Sequence, residues 1–322
     1  MRRLAVVLSL ATIAAAVRLP GQTGAPQQPV FRAGTDVVFV NVLVTRGRTA
    51  VAGLGAADFD LRDDGVRQDV EVLALEGRAI DVTFVSSAVF ESQTDDLQRA
   101  RASSEVFRAL LRPDDRLRLI VGGERVHEQS MRAASDAAGF GPEIARGIGS
   151  SLNDALVYAL MRPVDPDRGH LVVAYTGGLE SWSTLGAEWI SEIARRADAV
   201  LHTVVPGPPP TTVTPGQNAM RSESGERGIL WGGSAAVPPR LLAEWQATYN
   251  AMHDAARRTG GSLHHVSPGA DAFQRILDEY RHTYLLRYTR RGVQKPGWHE
   301  ISVGVTRPGS YTIRARKGYE AR

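Results

Sequence analysis

Two rhythms of apolar residues alternate along the chain. Asp36 to Val44 (DVVFVNVLV) is continuous and β-branched, the pattern of a buried strand. Phe59 to Val72 reads as a hairpin: FDLR, a turn at Asp63-Asp64-Gly65, then VRQDVEV in strict alternation. From Ile80 the pattern changes. Apolar runs at 82–87, 116–123, 170–175, 199–205 and 262–266 predict strands. Between them, helical spacing predicts helices over 95–111, 135–146, 152–161, 187–197, 241–258 and 271–280, the helix 241–258 ending at Gly260-Gly261. After Tyr280 the period returns to two: TYLLRYT, HEISVGV and YTIRAR form a meander.

Near-continuous apolar strands separated by helices predict an α/β fold, with a doubly wound, mostly parallel sheet. The strands at the two ends are too few to bury separate cores. They are expected to pair into one small β-sandwich. The expected organisation is a signal peptide at 1–16, a linker at 17–30, and first sandwich strands at 31–77. An α/β domain at 78–282 and last sandwich strands at 283–322 follow.

Composition narrows the picture. At 322 residues, with 43% hydrophobic and 23% charged, the chain is globular, neither disordered nor polytopic. Zero Cys excludes thiol catalysis, iron–sulfur clusters and disulfides. Met1-Arg2-Arg3, the apolar run Leu4 to Val17 and Ala14-Ala15-Ala16 lay out a secretory signal, so an exported protein, periplasmic or secreted, is expected. That run is too short to span a bilayer comfortably, and no stable membrane span is expected after cleavage. The alternative is an uncleaved N-terminal anchor. The formal charge of +3 includes Arg2 and Arg3, so the mature chain has no general pull on nucleic acid. Charge is unevenly placed: from Arg281 onward there are ten Lys/Arg against two Glu, while 58–76 is acid-rich. A basic wet face on strands explains the former, and complementary pairing of the two ends is expected.

Motif by motif, most chemistry falls away. Neither G-x-S-x-G nor a P-loop is present, and His127-Glu128 and His299-Glu300 do not continue to H-E-x-x-H. Asp58, Asp60, Asp63 and Asp64 lack the order of a calcium loop and read as turn and strand-face residues. His264 and His265 are adjacent on a strand, so their side chains face opposite ways and cannot conveniently share an ion. The 34 residues Pro206–Pro239 form a long loop around Ile229-Leu230-Trp231, either a tether against the α/β domain or an interface anchor.

Several stretches together resemble a known family. They are VFVNVLVTRGRTAVAGLGAADFDLRDDGVRQDVEV, LLRPDDRLRLIV, GSSLNDALVYAL, HLVVAYTGGLES, RTGG, YRHTYLLRYTRRG and RKGY. In order and spacing they resemble the bacterial VWFA-related proteins, built on a von Willebrand factor A domain. The resemblance implies a metal-ion-dependent adhesion site at the strand ends: D-x-S-x-S, a Thr and a further Asp. Here Ser86 stands for the Asp, Ala88 and Phe90 for the serines, and Gly177 for the last Asp. Hard dications need oxygen ligands with at least one carboxylate. Only Glu91, Asp154 or Glu180 could supply one, so no metal and no cofactor are expected. The expected site is a metal-free cleft of Ser86, Ser87, Ser150, Ser151, Thr176 and Glu180.

The resemblance implies a non-catalytic binding or adhesion module for a protein or glycan of the cell envelope. Two alternatives remain: a scaffold subunit of an envelope assembly, and a hydrolase using the cleft serines.

Overall fold

A computed structural model describes residues 37–74, 77–87, 94–137, 149–163, 165, 167–178, 180–206, 239–266, 271–293 and 295–321. The signal at 1–16, the linker at 17–30, Ala88, Phe90, Glu91 and the triplet Ile229-Leu230-Trp231 lie outside these residues. So does most of the segment expected as a helix at 135–146, whose described start is a 3-10 turn at Ala134–Asp136.

The chain opens with β1 (Val37–Arg46), β2 (Thr49–Ala50), β3 (Phe59–Asp63), β4 (Val66–Arg67) and β5 (Glu71–Ala74). The Asp64-Gly65 turn forms as expected, both residues taking positive φ (46° and 83°), and it pairs Asp63 with Val66. The expected hairpin is shorter than its alternation suggested. After Arg67 the chain leaves, and β5 pairs in a different sheet.

The α/β part follows: β6 (Ile80–Ser87), α1 (Thr94–Ala109), β7 (Arg116–Gly122), β8 (Val126–Ala133), α2 (Leu152–Met161), β9 (Gly169–Tyr175), α3 (Glu188–Ala194), β10 (Val200–Pro206), α4 (Pro239–Thr259), β11 (Leu263–Val266) and α5 (Asp271–Arg281). Its sheet runs β11-β10-β9-β6-β7-β8. Every pairing is parallel except β7–β8. The antiparallel edge corrects the sequence reading, which passed over β8. VHEQSMRA is only half buried, so it carries neither a continuous apolar run nor a clean alternation.

Alternate strand residues feed two cores. Val82, Phe84, Leu119 and Val173 meet Phe107 of α1 and Phe273, Ile276 and Leu277 of α5. On the other face Val85, Ile120, Val172 and Leu201 meet Leu156 of α2, Ile190 of α3 and Met252 of α4. Helix α4 stops where expected. Gly260, at φ +89°, and Gly261 close the turn through Gly261 N–H donating to Ala256 O at 2.8 Å. A Cβ on Gly260 would stand 3.2 Å from the backbone of Ala315 and Arg316, so this glycine also admits a neighbouring strand.

That strand belongs to the closing set: β12 (Tyr284–Thr289), β13 (Gly297–Val305), β14 (Thr312–Ala315) and β15 (Gly318–Ala321). They pair with the opening strands, giving sheets β14-β1-β12-β5, with β2 on β1, and β15-β13-β3-β4. Val40, Val42, Leu286 and Tyr288 of one sheet share a core with Phe59, Leu61 and Ile301 of the other. The complementary charges meet as well: Arg307 pairs with Asp58, Lys295 with Asp64, Arg291 with Asp69 and Arg287 with Glu71.

Asp63 departs from its expected place on a turn or wet face. It is fully buried. Its Oδ2 accepts from the hydroxyls of Tyr288 (2.8 Å) and Tyr319 (2.7 Å), and its Oδ1 accepts from Nδ1–H of His299 at 2.9 Å. His299 Nε2 lies 2.7 Å from Lys295 O and 3.4 Å from the Arg290 guanidinium. Burial first, then the bond to Asp63, pushes the Tyr319 hydroxyl up to about 12 and that of Tyr288 higher still, so both stay donors. Removing a buried carboxylate leaves its donors unmatched, at about 1–3 kcal/mol for each buried group. Asp63→Ala should show that loss in urea unfolding, whereas Asp69→Ala, at an exposed pair with Arg291, should leave the midpoint unchanged.

Candidate functional site

In open α/β sheets ligands bind outside the C-terminal ends of the strands, at the point where the strand order reverses. Here β6 lies between β7 and β9, so that point is the C-terminal end of β6 and β9. Ser86 and Ser87 end β6, and Thr176 follows β9. Ser86 and Thr176 are buried and Ser87 half-buried. The hydroxyls of Ser87 and Thr176 share a 2.7 Å hydrogen bond in which either can donate, and Gly178 N–H donates to Thr176 Oγ1 at 3.0 Å. Ser87 and Thr176 thus meet at the switch point, while Ser86, the preceding residue of the same strand, turns its side chain to the opposite face of the sheet.

Ser150 and Ser151 precede α2. Ser151 N–H donates to Gly123 O at 2.9 Å, which fixes this loop to the end of β7. The loop is also zipped to 181–182: Ser150 N–H donates to Ser181 Oγ at 3.0 Å, and Ser150 O accepts from the N–H groups of Ser181 and Trp182. Both serine hydroxyls are buried, and among the described residues neither has a hydrogen-bond partner. A buried hydroxyl left unmatched costs free energy, so the pair forms the polar, unsatisfied floor of this loop.

Glu180 is placed differently from the expectation. Its Oε1 accepts from the N–H groups of Ser181, Trp182 and Ser183 (2.7–2.8 Å). Its Oε2 accepts from Asn153 N–H at 2.8 Å and Ser183 Oγ–H at 2.7 Å. Five donors occupy the carboxylate, which caps the first turn of α2 and shapes the following loop. Asp154 makes the reverse stitch, accepting from the N–H groups of Thr184 and Leu185 at 2.9 Å. These two carboxylates therefore face the α2–loop seam. Gly177, at the position of the family's last Asp, offers only its carbonyl, which accepts from Trp245 Nε1–H at 2.6 Å.

The described clusters with metal-ligand geometry lie elsewhere: His202, His264 and Glu279, and Asp63, Asp64 and His299. Sequence reasoning also missed Trp182. It is half exposed on the loop that Glu180 organises, and its ring lies against Gly149, where a Cβ would fall 2.4 Å away. The signal was present in the Gly149-Ser150 and Ser181-Trp182 pairs, but only the fold brings them together.

No family model matches the chain, and no curated protein matches it. Among solved structures it is similar to the conserved hypothetical protein BatB from Bacteroides thetaiotaomicron (16% identity, 62% of this chain and 97% of that one, TM-score 0.41). It is also similar to a von Willebrand factor type A protein from Catenulispora acidiphila (7%, 89% and 75%, TM-score 0.39). A third is the ArnB paralog VWA2 from Sulfolobus acidocaldarius (6%, 89% and 76%, TM-score 0.40). With identities this low and TM-scores under 0.5, nothing further is built on these likenesses.

Glu180→Gln exchanges one acceptor oxygen for an amide that cannot accept. At least one of the five donors then goes unmatched, at about 1–3 kcal/mol for a buried group. Thermal or urea unfolding should show that loss.

Proposed function

We propose that the chain is an exported, non-catalytic A-type binding module, a doubly wound α/β domain carried on a small β-sandwich. Its strand-end crevice takes a protein or glycan partner without a metal. The observation that carries this reading is the fate of the carboxylates. Glu180 and Asp154 are occupied by donors of the α2–loop seam, and the crevice presents the paired hydroxyls of Ser87 and Thr176. Hydroxyls alone hold hard dications poorly. The same inventory opposes hydrolysis. Among the described residues, no histidine or carboxylate hydrogen-bonds to the side chain of Ser86, Ser87, Ser150 or Ser151 to activate it. No described helix is long and apolar enough to cross a membrane. Trp182 supplies what the lost metal cannot. It is an exposed aromatic at the rim, the residue type most enriched at interface hot spots.

Calorimetric titration of the purified chain with Mg²⁺ should give no saturable heat, and Ser87→Ala should change nothing. A one-site isotherm lost in Ser87→Ala would overturn the metal-free reading.

Partner engagement is tested with a photo-crosslinking residue at the exposed position of Thr184. Incubated with native envelope, it should give discrete adducts that persist in a chelator. Trp182→Ala should weaken capture by about 2 kcal/mol, the hot-spot scale, while the melting temperature stays within a few degrees. Adducts abolished by the chelator, or undiminished in Trp182→Ala, would sink this reading.

A further inference from the structure

The sequence separates His264 from His265, and the structure keeps them apart. His265 is exposed and shares a 2.7 Å hydrogen bond with the Tyr249 hydroxyl of α4. His264 turns to the opposite face, where its neighbour is His202 from the adjacent strand. In the parallel pair β10–β11, Val204 stands opposite His264, so His202 is its diagonal neighbour on one face. Their rings stack at 5.7 Å, and His202 Nδ1 lies 3.4 Å from His264 Nε2.

That separation has a chemical meaning. Zinc binds imidazole nitrogen at about 2.0–2.1 Å, so two nitrogens on one tetrahedral ion stand about 3.3–3.4 Å apart. The two nitrogens are already spaced for a shared ion. Glu279, near the end of α5, adds a carboxylate oxygen within 4.8 Å of both. We propose that His202, His264 and Glu279 form a binding site for a zinc-type divalent ion, separate from the strand-end crevice.

The surroundings fit that use. Ser262 Oγ lies 2.8 Å from His264 Nε2 and 3.2 Å from His202 Nδ1, bridging the nitrogens and within reach as a fourth donor. Arg314 on β14 pairs with Glu279 and orients its carboxylate, the outer contact that ligating carboxylates usually have. A cavity of about 10 Å³ lined by His202, Glu279 and Arg314 has room for about one water. His264 is half-buried and the Glu279 side chain is 23% exposed, so solvent reaches the site although His202 is buried. Burial, the largest cause for both rings, lowers the pKa of each imidazole and so favours the neutral ring. Two nitrogens and one carboxylate select zinc, cobalt or nickel over magnesium and calcium. The positive charge of Arg314 works against a dication and keeps the affinity moderate.

The test uses the full, untagged chain, stripped with a chelator and titrated with Co²⁺. Visible absorption reports four-coordinate cobalt. One equivalent should develop the tetrahedral band, and Zn²⁺ should abolish it. His264→Gln should lose at least tenfold in affinity and Glu279→Gln should also weaken binding. His265→Gln, one residue along on the other face, should bind like the parent. His202→Gln carries the risk of misfolding because His202 is buried, so the half-buried His264 decides. No saturable band, a band surviving His264→Gln in a folded protein, or equal loss in His265→Gln would overturn the site.

Discussion

One carboxylate closes the outer sheets. Asp63 ends β3, and its three partners, Tyr288, His299 and Tyr319, stand on β12, β13 and β15. They follow it by 225 to 256 positions in the chain. A buried charge must be matched, or the structure loses several kcal/mol. The observed arrangement of the closing strands matches this one with three partners. Apolar burial would hold Val40, Leu286 and Ile301 together in more than one register, since hydrophobic contact has no direction. The aspartate has direction: register β13 by one residue and His299 turns to the other face. The ion pairs along the same seam, such as Arg307–Asp58, are partly exposed and add steering more than stability.

A second pair of carboxylates does comparable work at the crevice. Glu180 and Asp154 hold α2 and the loop 180–185 against each other by reciprocal capping. Backbone N–H groups converge on these two carboxylates and give the loop 180–185 its defined shape.

Much of this was legible in the sequence, and the gaps have physical causes. Continuous apolar runs marked β6, β7, β9 and β10, because strands covered on both faces need no alternation. Asp64-Gly65 marked its turn, and Gly260-Gly261 marked the end of α4, because positive φ selects for those residues. The edge strand β8 was invisible, being half wet and polar. Asp63 was misplaced because its neighbours Asp64 and Gly65 are turn residues, while its own partners lie more than two hundred residues away. The pairing of His202 with His264 was hidden for the same reason. Adjacent histidines draw the eye, yet a strand sends them to opposite faces. Diagonal neighbours on two strands are 62 positions apart in the chain. Trp182 gave no periodic signal, since its role depends on the loop that Glu180 folds.

The topology separates the two ends of the α/β unit. Its first strand starts at Ile80 and its last helix ends at Arg281, both at the edge opposite the crevice. The outer strands attach at that same edge. Arg314 pairs with Glu279 and Arg316 with Asp198, Lys317 N–H donates to Arg258 O at 3.1 Å, and Arg195 lies 4.4 Å over the Trp298 ring. The partners Asp198, Arg258 and Glu279 sit just before β10, at the end of α4 and near the end of α5. The chain therefore enters and leaves the α/β unit where the outer sheets brace it, at the end of the sheet opposite Ser87 and Thr176. Such an arrangement lets residues at the crevice change without disturbing the Asp63 network of the outer sheets.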